Sequence, residues 1–242
     1  MTGREQPDTA MVFAAGLGTR MRPISNTIPK PLVKVAGRTL LDHCLDLFAE
    51  AGVKRAIVNV HYLADQIETH LQGRTEPQII ISDEREKLLD QGGGIRKILP
   101  LLDGKPFFLC NTDAFWIEGA QSNILRLAQM WDPARMDALL LVAATSHSIG
   151  VDWSGDFDMN KNGRLTKRDP RNVAPFVYSG VAIIKPELFA HETRDVFRLA
   201  PFFFEAAEKG RLFGLRLDGL WLHVGTPEAI AEAETAISRS KE

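Results

Sequence analysis

Apolar runs and apolar positions at helical spacing alternate along the chain as far as Gly150. Residues 10–15 are apolar with few turn-forming residues, a pattern that predicts a strand buried on both faces. In residues 39–51 apolar side chains recur at helical spacing until Gly52, which predicts an amphipathic helix. The pattern continues with predicted strands at 55–60, 78–82, 106–110 and 138–144 and predicted helices at 63–71, 94–99 and 120–131. Strands and helices that alternate in this way are typical of a parallel, doubly wound sheet.

Beyond Gly150 the pattern changes to shorter strands of antiparallel type. Two such strands, 156–160 and 164–168, flank a Lys-Asn-Gly turn, which predicts a hairpin, and a second hairpin is predicted to turn at Asp218-Gly219. A strand at 176–184 and helices at 201–209 and 227–238 complete the prediction. We therefore expect one α/β domain at residues 10–242, after a flexible N-terminal tail at residues 1–9. Its doubly wound, mostly parallel, Rossmann-like sheet should carry antiparallel additions in the C-terminal half.

Composition narrows the function classes. The 242 residues are 45% hydrophobic and 25% charged, which are ordinary globular values, and no apolar stretch approaches the length of a membrane span. A net charge of −2 argues against general nucleic-acid binding, so an anion site must be a local cluster of Lys and Arg. The polar first ten residues lack the apolar core of a signal peptide, and we expect a cytoplasmic protein. The two cysteines, Cys44 and Cys110, have no disulfide or CxxC spacing and are expected to be small buried residues.

A glycine-rich loop directly after the first strand is the strongest chemical signal. Gly16 and Gly18 carry no Cβ atom, so backbone N–H groups can approach phosphate oxygens closely. Arg20 adds a planar, permanent charge and Lys30 a mobile one. The loop lacks the Lys-Ser or Lys-Thr pair of a Walker motif, and Met21 stands where a dinucleotide fingerprint has its third glycine.

The whole string from Ala14 to Pro23, followed by Pro-Lys-Pro at 29–31, resembles the AAGxGTR and PKP signature of the sugar-1-phosphate nucleotidyltransferases. The resemblance covers the chain from Met11 onward. It implies an enzyme that makes an NDP-sugar and pyrophosphate from an NTP and a sugar 1-phosphate. It also implies that Arg20 contacts the departing pyrophosphate and Lys30 the attacked α-phosphate. The nucleotide would further be held by Ala14, Gly16, Gly18 and Thr19.

The same resemblance implies a metal site. Asp113, after the predicted strand 106–110, matches an Asp that ligates Mg²⁺ in the family. The family's second ligand is an Asp in a DVGTP string, but here the string is Leu-His-Val-Gly-Thr-Pro, so His223 takes its place. Imidazole suits Mn²⁺ or Co²⁺ better than Mg²⁺. Either Asp113 holds Mg²⁺ with more water, or His223 selects another ion, or His223 contacts phosphate or serves only to cap and pack.

The string Asp-Gln-Gly-Gly-Gly at 90–94 resembles the base-recognition turn of the family. Asp90 can only accept protons, and the backbone at Gly92 and Gly93 could lie close to a flat base. Such a pattern favours uracil, thymine or guanine, which present a ring N–H beside a carbonyl. A plain glycine-rich loop remains the structural alternative.

For the sugar phosphate, the resemblance points to residues on later strands. Lys167 lies where many relatives have a second lysine, although a solvated surface charge is an equal alternative. Tyr178 and Gly180 belong to a Tyr-Ser-Gly string like that on the sugar side of the family, and Tyr178 could instead be a core residue. Asn111, two residues before Asp113, completes the predicted sugar-phosphate set.

Within the family, the short chain, the glycine turn and the segment 59–67 resemble the N-acetylmuramate-1-phosphate uridylyltransferases most, with UTP as the expected nucleotide. Mannose-1-phosphate guanylyltransferase is the alternative enzyme, and a regulatory subunit that binds nucleotide sugar without turnover is the alternative class. Only His223 favours the second class, whereas Arg20, Lys30 and Asp113 argue against it. A sugar 1-phosphate is already an ionised nucleophile, so positioning and charge neutralisation suffice for catalysis. The expected assembly is a monomer or small homo-oligomer.

Overall fold

The computed structural model describes residues 6–240 and places one large mixed sheet at the centre of the protein. The strands are β1 (Thr9–Phe13), β2 (Lys34–Val35), β3 (Arg38–Thr39), β4 (Arg55–Val60), β5 (Gln78–Asp83), β6 (Phe107–Asn111), β7 (Ala114–Glu118), β8 (Ala138–Ala144), β9 (Ser148–Ile149), β10 (Phe157–Met159), β11 (Leu165–Lys167), β12 (Phe176–Ile184), β13 (Leu212–Arg216) and β14 (Gly219–His223). The helices are α1 (Leu40–Glu50), α2 (Ala64–Leu71), α3 (Asp90–Ile98), α4 (Asn123–Met130), α5 (Ala200–Glu208) and α6 (Pro227–Arg239).

The central sheet combines a parallel half with an antiparallel half. Its order is β11-β10-β12-β6-β1-β4-β5, and β8 lies on the other side of β12 with β13 beyond it. The pairs among β6, β1, β4 and β5 are parallel, as is β8 with β13, whereas β12 runs antiparallel to β6, β8 and β10. The α/β class, the single domain and the antiparallel additions are confirmed. Parallel pairing is less dominant than predicted, because β12 crosses the middle of the sheet in the opposite direction.

Helices bury both faces of this sheet. Alternate residues of β1 point to opposite sides, since Ala10 and Val12 pack with α1, α2 and α4 while Met11 packs with α3 and α5. Cys44 and Cys110 are buried free thiols in the first of these layers, as expected. No helix within residues 6–240 is long and apolar enough to cross a membrane.

Two sequence predictions about strands need correction. The turn at Asp218-Gly219 does not close a hairpin, because β13 pairs with β8 in the main sheet and β14 pairs with β7 and β9 in a separate small sheet. Strand β7 was not predicted, since it begins directly after a turn of only two residues that follows β6. The small sheet matters for function because its strand β14 places His223 beside Ala114, just after the end of β6.

The predicted N-terminal tail overlaps the fold. Residues 1–5 lie outside the described part of the chain, but β1 already begins at Thr9. The carbonyl oxygen of Asp8 accepts hydrogen bonds from the backbone N–H groups of Lys54 and Arg55. The ordered domain therefore starts before the predicted boundary at residue 10.

Candidate active site

The carboxyl ends of β1, β4, β5 and β6 meet at one edge of the sheet, because these strands are parallel. The loops that leave them surround a cavity of about 510 Å³. Its lining residues are Phe13, Ala15, Gly16, Gly18, Thr19, Arg20, Lys30, Pro31, Asn59, Glu84, Leu88, Asp90, Gln91, Asn111, Thr112, Asp113, Val196 and Gly225. The cavity thus lies at the edge where open α/β sheets bind their ligands.

The glycine-rich loop forms one wall of this cavity. Gly18 has a φ of 61°, and a Cβ atom there would lie 3.0 Å from the Cβ of Lys30, so glycine lets the loop pack directly against the lysine. The Ser25 hydroxyl donates a hydrogen bond of 2.7 Å to the Gly18 carbonyl and fixes the turn. No atom lies within 4 Å of a Cβ built on Gly16, so the backbone there is open to a ligand. Ala14, by contrast, is buried behind the wall, and its N–H donates to Asn59 Oδ1 at 2.7 Å.

Three of the predicted charged residues face the same cavity. Lys30 Nζ lies 3.2 Å from Asp113 Oδ2. The Arg20 guanidinium approaches from the glycine-rich loop, and a Cβ atom built on Gly225 would lie 3.4 Å from Arg20 Nη1. Within residues 6–240 no carboxylate is paired with Arg20, so its charge faces the cavity. The loop therefore presents two cations to an anionic ligand beside one carboxylate.

His223 reaches this group through the small sheet. In the register of β14 with β7, His223 lies opposite Ala114, and the Val224 N–H donates to the Asp113 carbonyl at 2.8 Å. His223 Nε2 lies 3.8 Å from Asp113 Oδ2. Its Nδ1 is 3.0 Å from the Gly150 carbonyl, which can only accept, so Nδ1 carries a proton and Nε2 faces the carboxylate.

Two tryptophans hold the His223 ring in this orientation. The Trp221 ring stacks on it at a centroid distance of 5.7 Å, and the Trp153 ring meets it edge-on at 5.4 Å. The Trp221 indole N–H is itself fixed by the Ser179 carbonyl at 2.9 Å. The surroundings of His223 are those of a side chain held toward Asp113.

Asp113 is ionised under all ordinary conditions. Burial by itself would raise the pKa of this carboxyl, but the His223 ring and the Lys30 ammonium outweigh burial and hold the pKa well below its usual range. A permanently charged carboxylate at the strand end is the form that can bind a cation.

A divalent cation would find two protein donors here. The Asp113 oxygens and His223 Nε2 face each other, and both are donor types that divalent first-row metals accept. Residues 6–240 contain no cluster of three or more His, Cys, Asp or Glu that could hold a metal. The donor set therefore fits an ion that takes its remaining ligands from substrate phosphate or water.

The predicted base-recognition turn is helical. Residues 90–94 form the start of α3, although three glycines disfavour a helix. Asp90 lines the cavity, but Gly92 and Gly93 are buried beneath residues 195–197 and are absent from the cavity wall. The structure thus does not bring Gly92 and Gly93 to the cavity wall, and their missing Cβ atoms make room for residues 195–197.

A polar network in the wall of the cavity, formed by Asn59 and Glu84, was not predicted from the sequence. The Glu84 side chain accepts hydrogen bonds from Asn59 Nδ2 at 2.8 Å and from the Leu89 N–H at 3.1 Å. Asn59 in turn accepts from Ala14, so the network joins the ends of β1, β4 and β5 to the segment before α3. A lone Asn and a lone Glu carry no sequence signal for such a role, since it depends on strand neighbours.

The predicted sugar-phosphate residues divide between two neighbouring cavities. Asn111 lines the first, where its Oδ1 accepts from Gln91 Nε2 at 2.9 Å, and Gly180 packs against the Asn111 side chain. Lys167 and Tyr178 line a second cavity of about 280 Å³. Gln91 lines both and was not predicted, although it lies inside the string singled out at 90–94.

The second cavity combines four aromatic rings with two cations, Lys167 and Arg168, and one carboxylate, Asp156. The Lys167 ammonium lies 4.2 Å above the Phe204 ring, and the Tyr178 ring meets Phe203 edge-on at 5.5 Å. Burial raises the pKa of the Tyr178 phenol far above its usual value, so this group stays neutral. Apolar rings beside these two cations suit a ligand that combines a sugar ring with negative charge.

Comparisons with known proteins identify the family of this chain. The family model for the MobA-like NTP transferase domain matches residues 10–196. The chain is 45% identical to an N-acetylmuramate α-1-phosphate uridylyltransferase of Caulobacter vibrioides, across 98% of this chain and 99% of that protein. It is 33% identical to a protein of the same name from Neisseria meningitidis, across 93% and 96% of the two chains.

Solved structures share the fold at low sequence identity. A UDP-glucose pyrophosphorylase complexed with UDP-glucose superposes with a TM-score of 0.81 at 16% identity, over 97% of this chain and 99% of that one. HddC from Yersinia pseudotuberculosis superposes with a TM-score of 0.73 at 20% identity, over 95% and 99%. With the family model spanning most of the chain and the full-length relatives above 30% identity, this protein belongs to the MobA-like NTP transferase family and is a sugar-1-phosphate nucleotidyltransferase.

Proposed function

We propose that this enzyme transfers the uridylyl group of UTP to N-acetylmuramate α-1-phosphate and releases pyrophosphate. Two near full-length relatives bear the name of that activity. The observation that carries the proposal is the convergence of Arg20, Lys30 and Asp113 on one cavity that adjoins a second, aromatic cavity through Gln91. One cavity suits a nucleoside triphosphate, and the other suits a glycosyl group.

In the proposed mechanism the side chains neutralise charge and align two anions. The acceptor phosphate oxygen attacks the α-phosphorus of UTP, the bond from that phosphorus to the bridging oxygen breaks, and pyrophosphate leaves with the electron pair. Lys30, on the wall beside Asp113, lies where it can contact the α-phosphate, and Arg20 where it can contact the departing pyrophosphate. The acceptor is an ionised phosphate, so no general base is required.

Asp113 and His223 are the residues that would hold a divalent cation. Such an ion would supply positive charge that reduces the repulsion of the two reacting phosphates. With Nδ1 donating to the Gly150 carbonyl, Nε2 is the ring nitrogen that would bind the ion, and imidazole nitrogen suits Mn²⁺ or Co²⁺ better than Mg²⁺. We propose Mg²⁺ as the physiological ion. His223 is the residue that would also allow Mn²⁺ or Co²⁺ to bind.

The acceptor would occupy the second cavity. Lys167 and Arg168 carry the positive charge there, and Tyr178 forms part of the aromatic wall. N-acetylmuramate differs from N-acetylglucosamine by a lactyl ether, which adds one carboxylate and one methyl group. A cavity with two cations and several rings offers a partner to each of these additions.

The biological setting follows from the proposed substrates. UTP is drawn from the nucleotide pool of the cytoplasm, and free N-acetylmuramate arises when cell-wall material is taken apart. We therefore propose a cytoplasmic enzyme of cell-wall recycling, active as a monomer or small homo-oligomer.

A guanylyltransferase that uses mannose 1-phosphate is the second candidate. The chain is 25% identical to the catalytic subunit beta of mannose-1-phosphate guanylyltransferase from Danio rerio, but it spans 61% of that protein. Full-length similarity at 45% identity favours the uridylyltransferase over this alternative.

A substrate matrix tests the proposal. The purified chain is assayed with UTP, dTTP, GTP, CTP and ATP against the 1-phosphates of N-acetylmuramate, N-acetylglucosamine, glucose and mannose, in the presence of Mg²⁺ or Mn²⁺. Pyrophosphate release gives the rate, and mass spectrometry identifies the NDP-sugar. We expect the highest kcat/KM for UTP with N-acetylmuramate 1-phosphate. A preference for GTP with mannose 1-phosphate would favour the second candidate, and absence of pyrophosphate from every pair would favour a binding subunit.

A further inference from the structure

Residues 194–197, here called the docked segment, cross the start of α3 at very short range. The Gly92 N–H donates to the Phe197 carbonyl at 3.0 Å. A Cβ atom on Gly93 would lie 2.0 Å from the Asp195 carbonyl oxygen, and one on Gly92 would lie 2.3 Å from the Phe197 ring. Any larger residue at these two positions would displace the segment, so the two glycines are explained by its docking.

Side chains fasten the docked segment on both sides of Val196. The Asp195 carboxylate pairs with Lys87 at 3.2 Å and with Arg96 at 2.9 Å. Arg96 also donates to the Arg194 carbonyl at 3.0 Å. On the other side Phe197 is buried, with its ring 5.4 Å from that of Phe202. Position 196 is therefore held in place although it lies in an irregular segment.

Val196 itself is not used to pack the protein. Its side chain is 44% exposed, and it lines the nucleotide cavity together with Leu88 and Asp90. The phosphate-binding part of that cavity is polar and cationic, with Gly16, Gly18, Thr19, Arg20 and Lys30. The part of a nucleoside triphosphate that matches an apolar side chain is the face of its base.

We propose that Val196 contacts the face of the nucleotide base and that the docked segment exists to place it there. This rests on the proposed function in taking UTP as the nucleotide. Glycine residues reduce the stability of helix α3, because they lose more conformational freedom on folding than other residues. In return they let the docked segment pack against the helix, and that segment places Val196 where it increases nucleotide affinity. Val196 is a binding residue and takes no part in phosphoryl chemistry.

Equilibrium binding, rather than turnover, tests this inference. The dissociation constants of UTP and of inorganic tripolyphosphate, which has the phosphates but no base, are measured by calorimetry for the parent chain and for Val196→Ala. A Val196→Leu variant keeps an apolar contact. Val173→Ala serves as the matched control, because Val173 is 75% exposed and lines neither cavity.

Loss of two methyl groups from the contact should weaken UTP binding by about tenfold in Val196→Ala. The affinity of Val196→Ala for tripolyphosphate should stay unchanged. The dissociation constant of Val196→Leu for UTP should lie within about threefold of the parent value, and Val173→Ala should have the parent affinity for both ligands. Unchanged UTP affinity in Val196→Ala, or an equal loss for UTP and tripolyphosphate, would overturn the inference while leaving the proposed function intact. A parent chain that binds tripolyphosphate but not UTP would overturn both.

Discussion

At the scale of single residues, the chemistry gathers around Asp113. Lys30 lies 3.2 Å from one of its oxygens and His223 3.8 Å from the same atom. Arg20, Lys30 and Asp113 were expected at one site because each belongs to a string that resembles the family signature, and all three line one cavity. Asn59, Glu84 and Val196 could not be predicted, because only the folded sheet and the docked segment bring them to the cavity.

Replacement of His223 by Asp should change the metal requirement. A second carboxylate opposite Asp113 provides a hard oxygen donor, which Mg²⁺ prefers to imidazole nitrogen. We expect His223→Asp to reach half-maximal activity at several-fold lower free Mg²⁺ and to lose the relative advantage of Mn²⁺. The check is a titration of each metal at saturating substrates.

The control for this titration is His223→Ala, which removes the imidazole without adding an oxygen donor. It should need more Mg²⁺ than the parent does. The same half-maximal Mg²⁺ concentration in all three proteins would show that His223 does not contribute to the metal site.

At the scale of elements, α3 shows how tertiary contacts override local preference. The glycine-rich string at residues 90–94 is typical of a loop, and the sequence predicted that the helix begins only at residue 94. In the structure the helix begins at Asp90, because the Gly92 N–H and the docked segment stabilise the first turn. Helix α1 was predictable almost to the residue, since its apolar spacing and the Thr39 cap act locally.

Helix α1 also carries a histidine that should make stability depend on pH. His43 Nε2 donates to the Val35 carbonyl at 3.0 Å, and the ring stacks on Phe115 at 4.1 Å. Burial lowers the pKa of His43, an effect that outweighs the opposing hydrogen bond to Val35. The folded protein therefore favours the neutral ring.

The lowered pKa of His43 determines how the free energy of unfolding changes with pH. The stabilising contribution of neutral His43 is complete above the unfolded-state pKa of about 6.5 and is lost as the pH falls through the folded-state value. We expect the free energy of unfolding to fall less between pH 7 and pH 5 in His43→Gln than in the parent. Urea denaturation at a series of pH values measures both slopes, and identical slopes would contradict the assignment.

At the scale of the whole molecule, the order of the central sheet determines where the site forms. Parallel β1, β4, β5 and β6 end at one edge, and antiparallel β12 separates this half from β8 and β13. The α/β class could be predicted because strand and helix patterns alternate along the chain. The position of β12 and the separate β7-β14-β9 sheet could not, because strand partners distant in sequence are set by packing. The small sheet nevertheless supplies His223, so part of the site depends on topology that no local pattern reveals.

If the cations of the glycine-rich loop drive nucleotidyl transfer, two arginines of that loop should differ sharply in their effect on turnover. Arg20 lines the cavity, whereas Arg22, two residues along the same loop, does not. Steady-state pyrophosphate release from UTP and N-acetylmuramate 1-phosphate is measured for Arg20→Met and Arg22→Met, with thermal unfolding of each protein as the check on folding. We expect kcat to fall by about 100-fold or more in Arg20→Met, the scale for removal of a charge that stabilises the leaving group, and to stay within about twofold in Arg22→Met. Equal kcat values for the two folded variants would contradict it.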